Sequence, residues 1–347
     1  MKKSLRHVLA AVLCLCILLS VCVCGAFAES KVLRVGTMPL TVGIPVLYAQ
    51  QEGYFEEAGL NVDVSIFASG APINEAIAAG ELDVAVSGFA SVYSLANANC
   101  VWLADVNTTG GIMLFARADD PIASDPEENG LIGSAENLRG KKILGPLGVV
   151  AQYMTEAYAA QYGLTPDDID EVNMDYAAAY QAFVTGEGDL VALNPPYSYT
   201  ALAEGYVKLC TLESATNVNM VDGCFAPRAV AEARSEEIEL FIGCLIKAMD
   251  ALQDDALRNE FTAKVYADNA IACSAEDLAH EIEDRAYIGT EALTAEGYEL
   301  GECWVAITDF LVKAEKIDED NAPNVALSIT PSFVSAAVGA EIVGAGN

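Results

Sequence analysis

The sequence predicts an α/β chain of two lobes, each a mostly parallel sheet flanked by helices, joined by two crossings of the chain. Three observations carry this prediction. Strand-like and helix-like runs alternate over short connections from residue 31 onward. A block of these elements recurs about 106 residues later. A helical C-terminal third then follows the second block and has no second sheet of its own to cover.

The elements follow in order. Lys31–Gly36 reads as a strand and Thr37–Gly43 as a loop. A helix over Pro45–Ala58 follows, because Val46, Leu47, Tyr54 and Phe55 fall at helical intervals and Gly59 supplies a C-terminal glycine. Asn61–Phe67 alternates as a strand, Gly70-Ala71-Pro72 opens a helix that Gly80 closes, Leu82–Ser87 is a buried strand, Ser91–Ala98 a helix and Val101–Val106 a strand. Parallel strands need helical crossovers of this kind, and in such sheets ligands sit beyond the strands' carboxyl ends.

The repeat pairs Asn74–Val86 with Tyr180–Ala192: an amphipathic helix, a G-E-x-D turn (Gly80 to Asp83, Gly186 to Asp189) and a buried strand. Upstream, Gly53–Leu60 matches Ala157–Leu164, both ending Gly-Leu, and Gly36–Gly43 matches Ile143–Gly148. Several elements in one order make this a duplication of architecture, and the period is far too long for a solenoid. Ile112–Arg117 and Phe225–Val230 are the expected crossings. The predicted division is therefore 31–114 plus 226–330 for lobe 1, 115–225 for lobe 2 and 331–347 as a C-terminal tail, with two hinge connections between the lobes.

The N-terminus reads as an export signal over residues 1–28. Lys2, Lys3 and Arg6 precede a 16-residue apolar run, Val8–Val23, and Ala26-Phe27-Ala28 places cleavage before Glu29. Such a run is short for a membrane span, which wants roughly 20 residues. Cys22 and Cys24 stand in lipobox-like contexts, although Val occupies the position before each. Removing the signal leaves 15 Lys and Arg against 50 Asp and Glu. That balance excludes nucleic acid and anionic lipid as partners, since both are held through basic residues. Six cysteines remain, with no C-x-x-C pair and no nearby His, so no metal site or cofactor is expected. Their even number in an exported chain leaves disulfides open.

The segments Pro45-x-x-x-Ala49-x-x-x-Gly53-Tyr54-Phe55-x-x-x-Gly59-Leu60, Ser69-Gly70-x-x-x-Asn74-Glu75-Ala76-x-x-x-Gly80-x-x-Asp83-x-Ala85-x-x-Gly88 and Asn137–Ile143 resemble the substrate-binding proteins of nitrate/sulfonate/taurine ABC importers, a group that includes binders of thiamine-pyrimidine precursors. The resemblance implies a periplasmic-binding-protein fold of the type II kind that closes on its ligand. It also implies a permease and an ATPase as partners and a monomer in the periplasm or on the outer face of the membrane, with membrane contact only through the permease or a lipid anchor at Cys22 or Cys24. The implied function is capture of a small sulfonate-, nitrate- or pyrimidine-like solute. An extracytoplasmic sensory module is the alternative, and a thiamine-pyrimidine biosynthetic enzyme a more distant one.

Loops at strand carboxyl ends supply the candidate pocket. Lobe 1 offers Thr37, Met38 and Pro39, then Ser69, Gly70 and Ala71, then Ser87, Gly88 and Phe89. Lobe 2 offers Pro146, Leu147 and Gly148, then Asp175 and Tyr176, then Asn194, Pro195 and Tyr197. Ser-Gly pairs that open helices present free amides to a polar or anionic group, and Tyr176, Tyr197 and Phe89 present rings. These loops hold no Lys or Arg, which leaves Arg228 near the return crossing as the basic helper. Asp175 and Asp222 are placed to face an amine or ring nitrogen. Without a nucleophile, H-E-x-x-H or Walker motif, and with His280 in an acidic helix, no catalysis is expected.

Overall fold

Two five-stranded sheets carry the fold. The computed structural model describes residues 31–346, so the expected signal and its Cys22 and Cys24 lie outside the described residues. In chain order the strands are β1 (Leu33–Thr37), β2 (Val62–Ile66), β3 (Val84–Ser87), β4 (Cys100–Thr108), β5 (Met113–Ala116), β6 (Lys142–Gly145), β7 (Asp170–Asn173), β8 (Leu190–Leu193), β9 (Val207–Thr211) and β10 (Val221–Pro227). The first sheet runs β2-β1-β3-β10-β4 and the second β9-β5-β8-β6-β7. In the first, β1 pairs in parallel with β2 and β3, while β10 runs antiparallel to both β3 and β4. In the second, β8 and β7 flank β6 in parallel and β5 runs antiparallel to β8 and β9.

Central strands are apolar on both faces, as parallel strands under helices must be. Val84, Ala85 and Val86 in β3 are fully buried, whereas edge strand β2 leaves Asp63, Ser65 and Ile66 exposed. The helices follow the 3.6-residue period. The early ones are α1 (Ile44–Gln51), α2 (Tyr54–Glu57), α3 (Gly70–Ala78) and α4 (Ser91–Ala96). The expected single helix over 45–58 is broken between α1 and α2, because Gly53 takes a φ of 73°, a left-handed conformation that ends the first helix. Lobe 2 contributes α5 (Val150–Gln161), α6 (Tyr176–Val184) and α7 (Tyr197–Ala203). The C-terminal third adds α8 (Ser235–Ala251), α9 (Asp255–Asp268), α10 (Ala275–Asp284), α11 (Glu302–Lys313) and α12 (Ser332–Val338). On α8, Ile238, Phe241, Ile242, Leu245 and Met249 form one buried stripe. Each such side chain taken from water contributes about 1.5–3 kcal/mol.

The repeated G-E-x-D turn has one structural job in both lobes. Asp83 Oδ2 accepts the backbone N–H of Arg34 at 3.0 Å, and Asp189 Oδ2 accepts that of Lys142 at 2.8 Å. Each aspartate thereby ties the entry of the sheet's first parallel strand to the start of its neighbour. Asp83 also pairs with the Arg34 guanidinium at 2.7 Å and with Arg234 at 3.1 Å, and these bonds hold its carboxyl below the usual range against the opposing effect of burial. These turns stand at the strands' amino ends, away from the ligand-facing ends.

Three boundaries differ from the sequence prediction. The crossings are residues 109–112 and 217–220, since β5 already belongs to the second sheet and all of β10 to the first. Phe225–Val230 is thus no crossing but the end of a lobe 1 strand and a following helical turn. Residues 331–346 are no tail: α12 packs on α8, and Val343–Gly344 pairs in parallel with Glu299–Leu300. The apolar content of Phe333, Val334 and Val338 is what buries this segment.

Asp83→Ala, which strips partners from two guanidiniums and one backbone N–H, is expected to lower unfolding free energy by about 2–3 kcal/mol. Asp189→Ala, which frees one backbone N–H, is expected to cost about 1 kcal/mol. Urea titration of both variants measures the difference, and equal costs would contradict the assignment.

Candidate functional site

The cleft lies where the two sheets' ligand-facing ends meet. Lobe 1 brings the carboxyl end of β3 and the start of β10, which are registered at Ser87 and Gly223. Lobe 2 brings the residue after β8, Asn194, and the start of α6. A cavity of ≈ 40 Å³ remains between them, room for a few waters. Its polar lining is Thr109, Tyr176, Asn194, Asp222 and Arg285, and its apolar lining includes Met38, Leu40, Phe89, Ile112 and Val149.

Arg285 is the centre of this arrangement. Its side chain is 2% exposed. Nε donates to the carbonyl of Gly110 in the first crossing at 2.8 Å, and one Nη donates to Oδ1 of Asn194 in lobe 2. The segment behind α10 holds it there. The Thr108 N–H donates to the Ala286 carbonyl at 3.0 Å, the Ala286 N–H to the Thr108 hydroxyl at 2.9 Å and the Ile288 N–H to the Val106 carbonyl at 2.8 Å, with Asn107 and Tyr287 facing each other as an antiparallel bridge. Arg258 donates to the Arg285 carbonyl at 2.5 Å and stacks 4.3 Å over the Tyr287 ring. The Tyr287 hydroxyl in turn donates to the Thr41 carbonyl at 3.0 Å, which fixes the loop after β1.

Asp222 is the counter-charge. It is 8% exposed and accepts from Asn107 Nδ2 at 3.1 Å. Burial pushes its carboxyl upward, opposed by Arg285, Asn107 and Thr109. A Cβ on Gly88 would stand 2.2 Å from Asp222 Oδ1, so only glycine lets the carboxylate lie against this turn. Ser87 Oγ is fully buried without a hydrogen-bond partner among the described residues. It stands 2.9 Å from where a Cβ on Gly70 would be. Such an unpaired buried hydroxyl is costly unless something polar meets it.

The expected site residues divide three ways. Met38, Gly70, Gly88, Phe89, Tyr176 and Asn194 line the cavity. Ser69, Ala71, Ser87, Gly148 and Pro195 stand at its margins or one layer behind: a Cβ on Gly148 would touch that of Ala71 at 4.0 Å, and Pro195 abuts Gly111. Thr37, Pro39, Pro146, Leu147, Asp175, Tyr197 and Arg228 are absent from the lining. The Thr37 hydroxyl is spent on the Val86 carbonyl at 2.8 Å. Pro146 and Leu147 turn toward Gln152 and Glu171 on the other side of their loop. Asp175 is exposed at the N-cap of α6, and Tyr197 packs on Tyr180 at 5.9 Å.

Arg228 is the clearest correction. It follows the far end of β10, where its backbone N–H donates to Asn99 and its guanidinium reaches Ser328. It stands six positions beyond Asp222, roughly 20 Å along the sheet. The loops do meet an arginine, but it is Arg285. Ser87-Gly88 opens no helix either: Ser87 ends β3, and α4 begins at Ser91.

Comparison with known proteins places this geometry. The family model "NMT1/THI5 like" matches residues 41–197. A Brachyspira hyodysenteriae protein provisionally named an ABC transporter periplasmic binding protein is 28% identical over 330 residues, covering 92% of this chain and 94% of its own. Among solved structures, the alkanesulfonate-binding protein SsuA of Xanthomonas axonopodis bound to MOPS superposes with a TM-score of 0.67 at 18% identity, over 86% of this chain and 98% of that one. The periplasmic nitrate-binding protein NrtA of Synechocystis gives 0.70 at 12% identity, over 90% and 89%. The fold is that of the periplasmic binding proteins. Both sheets share one strand order, β7-β6-β8-β5-β9 matching β2-β1-β3-β10-β4, and both are mixed rather than mostly parallel. The desulfurization enzyme DSZB also shares the fold, with a TM-score of 0.57 at 12% identity over 89% and 99%.

In this periplasmic-binding-protein fold the lobes touch on both sides of the cleft. On one side Tyr199 of α7 donates to Asp284, and Thr200 to Asp277 at 3.2 Å. On the other, Tyr153 of α5 stacks on Phe89 at 5.2 Å and meets Phe310 edge-on at 5.1 Å, while Lys316 pairs with buried Glu156 at 2.7 Å. The six described cysteines are free, and burial raises the thiols of Cys100 and Cys244 to about 11.

Gly88→Ala is expected to displace the Asp222 carboxylate and cost about 1–3 kcal/mol of stability. In an Asp222→Ala background the same change is expected to cost less than about 1 kcal/mol, because the clash is gone. A four-variant chemical-denaturation cycle reads this out, and additive costs would refute the contact.

Proposed function

We propose that the chain is an extracytoplasmic solute-binding protein that captures a small polar molecule by closure of its lobes and delivers it to an ABC permease and ATPase. The family match and the periplasmic relatives support the coarse reading. The observation that carries the finer one is that Asp222 and Arg285 are buried in the lining of one cavity beside the unpaired Ser87 hydroxyl, with Arg285 bonded across the cleft to Asn194.

That pair bears on the solute. A bare oxyanion such as nitrate would gain from Arg285 but lose against Asp222. A molecule offering donors to Asp222 and an acceptor to Arg285 and Asn194 satisfies both. Of the solutes the resemblance suggests, an amino-bearing pyrimidine or a zwitterionic sulfonate meets this demand better than nitrate or a simple sulfonate does. Phe89, Met38 and Val149 would cover its apolar faces. The cavity is smaller than such solutes, so entry requires the lobes to part at 109–112 and 217–220, where Gly110 and Gly111 stand in the first crossing. The reading assigns no catalysis: the lining residues include neither Cys nor His, and Tyr176 has its hydroxyl driven far above ordinary pKa by burial, unsuited to proton transfer.

A thermal-shift screen of nitrate, alkanesulfonates, taurine-like zwitterions and aminopyrimidines tests the proposal. A solute at 100 times its Kd is expected to add about 2.7 kcal/mol of stability. Asp222→Asn and Arg285→Gln are each expected to weaken a donor–acceptor solute by about 10–100-fold. Unchanged responses in both variants would overturn the assignment.

The pH dependence follows from Asp222. Its pKa is raised by burial, so the carboxylate is neutralised as pH falls, beginning above the ordinary carboxylate range. Affinity for a cationic donor is therefore expected to fall with falling pH, and affinity for a bare anion to rise. Isothermal titration at several pH values separates the two.

A further inference from the structure

Beside the second crossing lies a larger cavity of ≈ 430 Å³ that shares no lining residue with the interlobe cleft. Its walls are Asn217–Asn219 and Val221 of the crossing and β10, Asp105 of β4, and Ile288, Ala292, Tyr298, Glu299, Glu302, Cys303 and Ala306 of the C-terminal third. The size falls in the ordinary range for small-molecule sites. We propose that this cavity is a second ligand site, selective for an organic amine: a protonated ammonium carried on an apolar body.

Two independent features identify the class. The first is the distribution of charge. Asp105, Glu299 and Glu302 bring three carboxylates, and none of the lining residues is Lys, Arg or His. Asp105 is 3% exposed, and its hydrogen-bond partners among the described residues are neutral donors: Trp102 Nε1 at 2.6 Å, Tyr298 Oη at 2.8 Å and the Gly301 N–H at 3.2 Å. A buried carboxylate so held is oriented but not neutralised, and a cation beside it relieves that cost. Burial, and to a lesser extent nearby Glu302, raise the Asp105 pKa against these hydrogen bonds, and a cation at its side would favour the ionised form. The second feature is the apolar wall of Val218, Val221, Ile288 and Ala306, which has no use for a hydrated metal ion but suits a hydrocarbon or aromatic body. Glu302 and Glu299 are exposed and would meet the ammonium at the rim. The site is independent of the solute proposed for the cleft.

Tryptamine is the probe, with indole-3-acetate as its anionic counterpart. Isothermal titration on the wild-type chain is expected to give saturable tryptamine binding with Kd below about 1 mM, and indole-3-acetate at least about 100-fold weaker. Ala306 is exposed on α11, so Ala306→Trp fills the cavity without entering the core, and it is expected to weaken tryptamine by at least about 10-fold with unchanged circular dichroism. Glu302→Gln is expected to weaken it by about 3–5-fold. Hydrogen exchange is expected to slow at residues 217–221 and 298–306 when tryptamine binds, and not at 87–89. No saturable binding overturns the proposal. So does equal binding by wild type, Ala306→Trp and Glu302→Gln, or protection confined to the cleft, the result expected if the amine merely collects on an acidic surface.

Discussion

The constraint on which the site depends is that two opposite charges, Asp222 and Arg285, are taken out of water where the lobes meet. Each charge would be costly alone in so dry a place. Arg285 is bonded to the first crossing through Gly110 and to lobe 2 through Asn194, while its own segment belongs to lobe 1. One side chain therefore bridges lobe 1, the first crossing and lobe 2. Asp222 stands on β10 directly after the second crossing. The two charged side chains thus stand next to the two connections, in the lining of one cavity.

This explains why residues remote from the cleft are so heavily bonded. Glu281, 1% exposed, accepts from Tyr266 at 2.7 and 2.9 Å and from Thr41. Tyr287 ties back to Thr41, and Arg258 braces Arg285 from behind. The run from Glu281 to Ile288 is therefore anchored at alternate points to the loop after β1 and to β4. A guanidinium that must find Gly110 and Asn194 within hydrogen-bonding distance needs such a rigid mount, since side-chain freedom would otherwise be lost at the moment of binding.

Much of the fold was legible because periodicity and punctuation agree. The buried run Val84–Val86, the glycine stops and the duplicated G-E-x-D turn each state local requirements, and Asp83 and Asp189 meet the same backbone demand in both lobes. The broken helix at Gly53 was less legible, since apolar spacing continues through it while the backbone reverses. The crossings were displaced because β10, apart from Asp222, is built of apolar residues and glycine, and nothing in its residues marks which sheet it joins. The closing segment was mistaken for a tail because its strand pairs in parallel with Glu299–Leu300, a contact invisible locally.

The site was legible only where it belongs to the repeat. Met38, Gly70, Gly88 and Asn194 sit at the ends of recognisable strands, and their loops must converge if two such sheets face each other. Arg285 has no such signal: it follows an acidic helix and reaches the cleft only because Ala286 and Ile288 pair with β4. Its presence reverses the chemistry inferred from the loops. The loops alone offer a carboxylate and no cation; with Arg285 in the same lining the cleft carries both polarities. The arginine of this cleft thus comes from outside the duplicated units, supplied by the C-terminal third that covers lobe 1 and sends one short strand-like segment to the first crossing.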